Sequence, residues 1–226
     1  DEKLNQSDKA VEYFRLAQEI EPEDASALEA LERLYTRTER WPDLVDTLKK
    51  KSELVRNSEE REQIHAHIAA IWEEAIGNAD EAIAAWKEVL GDNPSNRNAL
   101  RALDRLFGEK GLDLELADNL QRQLELATDE EEQVRLLSRL GSLREQKLND
   151  ITAAVETYRR LLELAPGHEE TVAALERLLV HPDHDLVLAE ILDPVYRTRS
   201  DFKNLVRVLE IQARHTSIGD VRGKGL

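Results

Sequence analysis

Three prolines, Pro22, Pro94 and Pro166, stand 72 residues apart, and the segments that follow them align without a gap. They read Ala27-Leu28-Glu29-Ala30-Leu31-Glu32-Arg33-Leu34, then Ala99-Leu100-Arg101-Ala102-Leu103-Asp104-Arg105-Leu106, then Thr171-Val172-Ala173-Ala174-Leu175-Glu176-Arg177-Leu178. A chain that copies itself at a fixed period folds as one supersecondary unit stacked on its own replicas, so this period constrains the fold more than any local propensity.

Inside each period the apolar residues recur at three and four, the signature of helices with one buried stripe. Leu28, Leu31, Leu34 and Tyr35 form one stripe, and Trp41, Leu44, Val45 and Leu48 the next. Ile64, Ile68, Ile71, Trp72 and Ala75 form a third, and Ala82, Ile83, Trp86, Val89 and Leu90 a fourth. Turn chemistry separates them: Gly77-Asn78 suits a helix C-terminus, and Asp92-Asn93-Pro94-Ser95 a stop before a new cap. Gly108-x2-Gly111 lacks the strand and the Lys-Ser/Thr of a phosphate loop and reads as a helix-loop-helix turn. No segment alternates with period two, so the fold class is all-α. Short loops make neighbours antiparallel, and a lone hairpin cannot bury both faces, so about six hairpins stack against one another.

The organisation predicted is a single array over residues 1–215, with 72-residue double-hairpin units at about 22–93 and 94–165 and partial units at both ends. Phe202-Leu205-Val206-Leu209 copies the spacing of Trp41-Leu44-Val45-Leu48, but 161 residues on, which is 17 more than two units. An extra helix at about 185–199 accounts for the difference. Residues 216–226 contain three glycines and read as a frayed or artificial tail. The chain starts at Asp1 within a helical pattern, which points to a segment of something longer.

Composition narrows the function. The 47 acidic and 31 basic side chains leave a formal charge of −16, and no basic cluster with interleaved aromatics interrupts that surplus. Phosphate backbones and anionic membranes are repelled, so neither nucleic acid nor direct membrane insertion is expected. The chain has no cysteine, hence no disulfide, thiolate nucleophile or Cys-based zinc site. It reads as soluble, with the cytoplasm favoured over the periplasm, although the lack of cysteine fits both.

Candidate chemistry is sparse. His181-Pro182-Asp183-His184-Asp185 has metal-ligand residue types but no preset geometry, and reads as an inter-helix turn capped by Asp. His65 and His67 stand two apart, on different helix faces, and cannot act as an i, i+4 metal pair. No nucleophile–base pair can be nominated, so no catalytic residue, metal or cofactor is expected and the chain is read as a non-enzyme. Arg33, Arg105 and Arg177 repeat in register, each after an acid: Glu32, Asp104, Glu176. One reading is a guanidinium ladder for an acidic peptide. The favoured one is ion pairs or packed stems between hairpins.

The pattern Leu137-x2-Leu140-Gly141-x2-Arg144, then Ala154-x3-Tyr158 and Pro166, resembles a tetratricopeptide repeat. Ala82-x3-Trp86 with Pro94, and Ala10-x3-Phe14 with Pro22, repeat its second half at the same offsets. The hairpins at 26–55 and 98–127 lack the Ala-x3-aromatic and terminal Pro, so the repeating unit reads as a pair of unlike hairpins. The resemblance implies a right-handed α-α superhelix, a solenoid of antiparallel hairpins. It also implies partner-contacting residues on the first helix of each hairpin: Gln63, Ala66, Ala70 and Glu73 in one copy, Arg135, Ser138, Ser142 and Glu145 in the next. With Arg33, Arg105 and Arg177 these are the candidate partner-binding residues. The expected function is a noncatalytic scaffold holding a protein partner's peptide or helix in a concave groove. The alternatives are the regulatory or substrate-recruiting arm of a larger enzyme, and self-assembly of this chain as a homo-oligomer through its terminal hairpins.

Overall fold

The computed structural model describes residues 2–223. Contacts group the chain into two compact units, Asp1–Gly111 and Leu112–Leu226. The first contains α1 (Glu2–Ile20), α2 (Ala25–Arg37), α3 (Trp41–Leu54), α4 (Ser58–Ala70), α5 (Ala79–Asp92) and α6 (Arg97–Lys110), and α4 runs on through a π-helical turn, Ile71–Ile76. The second contains α7 (Asp113–Leu126), α8 (Glu130–Gln146), α9 (Ile151–Leu164), α10 (Glu169–Leu178), α11 (Asp185–Arg199) and α12 (Phe202–Gly223). No strand occurs among the described residues, and the fold is all-α.

The 72-residue register extends to every helix start from α2 onward. α2, α6 and α10 begin at residues 25, 97 and 169; α3, α7 and α11 at 41, 113 and 185; α4, α8 and α12 at 58, 130 and 202; α5 and α9 at 79 and 151. This corrects the reading of an inserted helix. The helix at 185–199 is present, but it is the regular successor of α3 and α7, and Phe202 opens the successor of α4 and α8. The spacing that misled, an aromatic followed by Leu-Val and Leu, belongs to any helix with one apolar stripe and does not distinguish first helices from second ones. The tail also differs from expectation: α12 continues through Gly219 to Gly223, because extending an existing helix needs no new nucleus. Residues 224–226 of that tail lie outside the described residues.

Side-chain caps set most of the helix starts. Asn57 accepts from the Glu59 and Glu60 N–H groups, Asn78 from Glu81, Asn96 from Ala99, Asp129 from Glu132 and Asp150 from Ala153, each satisfying donors that the first turn leaves open. Between α5 and α6, Asn93 accepts from Ser95 and Asn96 caps, as the Asp-Asn-Pro-Ser run predicts. The tight links also repeat. The Asn78 N–H donates to the Trp72 carbonyl and the Asp150 N–H to the Arg144 carbonyl, both at 2.8 Å. Each link passes through a left-handed residue, Gly77 (φ 76°) or Asn149 (φ 52°). Gly and Asn are the residues that tolerate this conformation.

Within the first unit, Leu44, Val45 and Leu48 of α3 share a buried core with Leu31, Tyr35, Ile64 and Ile68. Within the second, α9, α10, α11 and α12 close around Leu175, Leu188, Leu192 and Val208. Where the paired helices cross, a small residue meets a ring. A Cβ on Gly141 would lie 2.3 Å from the Tyr158 ring, closer than atoms can approach, and Tyr158 is itself buried. Ala69 and Trp86 stand at the equivalent positions of the preceding copy.

Gly141→Leu is therefore expected to overpack the α8–α9 crossing and lower stability by about 1–3 kcal/mol. Thermal and urea melts measure this, and an unchanged midpoint would contradict the crossing.

Candidate functional site

The first helices α4 and α8 carry the residues that the repeat pattern nominates. On α4, Gln63 is exposed and Ala66, Ala70 and Glu73 are half-buried; on α8, Arg135 is exposed and Ser138, Ser142 and Glu145 are half-buried. Two of these acids meet two of the in-register arginines. Arg105 Nη2 on α6 pairs with Glu73 Oε1, and Arg105 Nη1 lies 3.1 Å from Glu109 Oε1. In the next copy Arg177 Nη2 on α10 lies 3.2 Å from Glu145 Oε1. The second carboxylate oxygen accepts from the aromatic of the paired second helix. Trp86 Nε1 donates to Glu73 at 3.0 Å, and the Tyr158 hydroxyl donates to Glu145 at 2.7 Å. One carboxylate thus ties its own hairpin, through the aromatic, to the following hairpin, through the arginine. Arg33 differs: its Nε donates to the Glu29 carbonyl within α2.

The geometry places Arg105 and Arg177 at hairpin junctions, in the manner of the favoured ion-pair reading. Gln63, Ala66 and Ala70 belong to the first unit, and Arg135, Ser138 and Ser142 to the second.

Burial pushes the Tyr158 hydroxyl above its ordinary value of 10.0, and donation to Glu145 pushes it the same way. Tyr196 on α11 is raised by burial and by donating to Glu176 at 2.8 Å. Both phenols keep their protons in the folded state at a pH where the unfolded chain has released them, so folding gains from them fully below pH 10 and loses that gain as pH rises further. Two outcomes follow. Tyr158→Phe is expected to cost about 1–2 kcal/mol by leaving Glu145 short of a donor, more than Arg177→Ala, whose exposed pair is worth under about 1 kcal/mol. The fall in urea stability from pH 8 to 10.5 is expected to be shallower in Tyr158→Phe/Tyr196→Phe than in the parent; an equal fall would contradict the raised phenols.

His65 and His215 join helices. His65 Nδ1 lies 2.7 Å from Asp92 Oδ2, and Arg61 Nε 2.5 Å from Asp92 Oδ1, so this trio joins α4 to α5. His67 faces solvent. In the 181–185 stretch His181 and Asp183 are exposed, and His184 starts α11 without a side-chain cap bond. The Asp-capped turn is corrected: Asp185 turns inward and its Oδ1 lies 2.8 Å from His215 Nε2 on α12, a helix that burial of Val208 and Ile211 seats beside it. No group of three or more His, Cys, Asp or Glu that could hold a metal occurs among the described residues.

The second unit contains a feature the sequence reading missed, a cleft of about 630 Å³ between the second helices α9 and α11. Leu162, Pro166, Val187, Ile191 and Pro194 contribute apolar wall, and Arg159 and Glu190 stand among its polar groups. Pro194 lies inside α11 and has no N–H to donate to the Glu190 carbonyl. The available signal was Val187, an apolar residue off the buried stripe of Leu188 and Leu192, with a proline seven positions on.

Sequence profiles described as tetratricopeptide repeat match residues 27–62 in one case and residues 2–24 and 134–168 in another. The first match covers α2 and α3, one of the hairpins without the Ala-x3-aromatic pattern. Together these matched stretches span 94 of the 226 residues, and over them the chain is similar to tetratricopeptide repeats. No curated protein matches it by sequence. Among solved structures, YrrB, described as a TPR protein with an unusual peptide-binding site, aligns over 76% of this chain and 85% of its own at 15% identity and a TM-score of 0.38. MamA aligns over 73% and 92% at 18% identity and 0.39. The human IFIT1 dimer with PPP-AAAA aligns over 84% and 47% at 16% identity and 0.43. No helix among the described residues is long and apolar enough to cross a membrane.

Proposed function

We propose that the chain is a noncatalytic scaffold that takes a peptide or short helix of a protein partner, anchoring an apolar side chain of that partner in the α9–α11 cleft. The observation that carries this reading is the cleft itself: an apolar concavity of about 630 Å³ with a few charged groups at its edge. Such pockets favour one buried anchor ringed by polar contacts that orient it. Negative net charge supports a protein partner over a nucleic acid.

A second reading places a peptide on a first helix, over Gln63, Ala66, Ala70 and Glu73 within the first unit or over Arg135, Ser138, Ser142 and Glu145 within the second. It is favoured by the small half-exposed residues at matching positions, Ala66 with Ser138 and Ala70 with Ser142. Arg105 and Arg177 would then add charge beside that track while still holding Glu73 and Glu145.

A displayed random peptide library, selected on the parent protein, separates the readings. Val187→Arg, on an exposed position, is expected to weaken the selected peptides at least about tenfold by filling the cleft, while Ala70→Arg/Ser142→Arg leaves them unchanged. Loss only in the second variant would transfer the site to the first helices, and no enrichment on the parent would contradict peptide binding.

A further inference from the structure

The α9–α11 cleft departs from what the first copy builds at the same register. In the first unit the equivalent positions lie on α1 and α3. Gln18 stands there for Leu162 and Lys50 for Pro194, and Lys50 Nζ donates to Gln18 Oε1 at 2.9 Å, a polar bridge from helix to helix. Asp43 stands for Val187 and pairs at 3.6 Å with Arg15, the equivalent of Arg159. In the second unit both bridges have lost their partners. Leu162, Pro194 and Val187 are apolar, and the cleft of about 630 Å³ lies among them.

One charge of the pattern survives this change. Asp46, Asp118 and Glu190 share a register position, and four residues further on stand Lys50, Arg122 and Pro194. In two copies an acid is thus followed, one helical turn on, by a cation, the spacing at which opposite charges on a helix attract. In the third copy the acid remains and a proline has replaced the cation.

Glu190 is exposed, as is Glu163 on the facing wall, and neither has a hydrogen-bond or ion-pair partner among the described residues. The arginines at the edge are engaged. Arg159 pairs with Glu156 at 2.7 Å, and Arg199 donates to the Gly167 carbonyl at 3.4 Å. Against the one arginine without a carboxylate stand two carboxylates without a cation, one on each wall, so the edge of the cleft is net negative.

Building on the cleft as the peptide site, we propose that its occupant is a basic segment of a protein partner: an apolar side chain enters beside Leu162, Ile191 and Pro194, and a lysine or arginine on either side of it pairs with Glu163 and Glu190. The partner thereby supplies the cation that Lys50 and Arg122 supply in the earlier copies. The same carboxylates repel an acidic segment, and the formal charge of −16 acts in the same direction, so charge selects among peptides that share an anchor.

A displayed library with one fixed leucine and randomised flanks, selected on the full chain, tests this. Lysine and arginine are expected to be enriched beside the leucine. The selected peptides, resynthesised, are expected to bind at least about tenfold more weakly to Glu163→Gln/Glu190→Gln than to the parent, and to lose affinity for the parent between about 0.05 M and about 0.5 M salt. Pro194→Lys restores the cation of the earlier copies with a residue that suits a helix interior, and is expected to weaken the same peptides, whereas Pro194→Gln keeps the basic preference. Enrichment of neutral or acidic flanks, with binding still lost in Val187→Arg, overturns the basic partner and leaves the cleft as the site. Basic peptides indifferent to both Val187→Arg and Glu163→Gln/Glu190→Gln also overturn it, because they would be following net charge alone. No enrichment with any flank removes the peptide site and this proposal with it.

Discussion

The structure depends on one kind of contact, the crossing of a first helix over a second where a small residue admits a ring. Gly141 leaves no room for a Cβ against Tyr158, and at the equivalent positions of the preceding copy Ala69 is buried in the cluster against which Trp86 packs. Close approach at that point lets the flanking stripes interdigitate, so burial of Leu136, Leu140, Leu161 and their counterparts follows from a position that buries almost nothing itself. The ring then reaches past the crossing to a carboxylate, and the carboxylate reaches the arginine of the next hairpin. Packing within a hairpin and stacking between hairpins share the residues Glu73 and Glu145.

This sharing bears on function. The residues that look most like a ligand-binding ladder, the in-register arginines, sit at junctions in the two copies where the acid is described. A position can repeat because every junction needs it, and repetition in one chain cannot by itself separate that from recognition. The α9–α11 cleft makes the opposite case. It is lined by Pro194 and Val187, whose equivalents 72 residues earlier are Arg122 and Glu115, as well as by Pro166 of the repeating ruler.

Much of the fold was legible in the sequence because the determinants are local and repeated. Asn78, Asn96 and Asp150 announce helix starts, Gly77 announces an end, and the Pro22, Pro94 and Pro166 ruler aligns them. Two misreadings have a common cause. Phe202-Leu205-Val206-Leu209 matched the wrong helix because a stripe specifies amphipathicity and not rank, and Asp185 was given to a cap because composition does not show that His215, 30 residues away, would meet it. The site was less legible than the fold. A cleft arises from side chains that fail to fill a space, and the sequence pattern records residues that do fill it.

The central claim is that stretches 72 residues apart are structurally interchangeable. Removing residues 94–165 tests it most directly, since joining Asn93 to Pro166 places α10 where α6 stood, with Asn-Pro restored at the junction. Circular dichroism during a urea melt is the measurement. The account predicts unchanged ellipticity per residue and a single cooperative transition. A shortened chain that loses helix or melts without cooperativity would show that the copies are alike only in sequence.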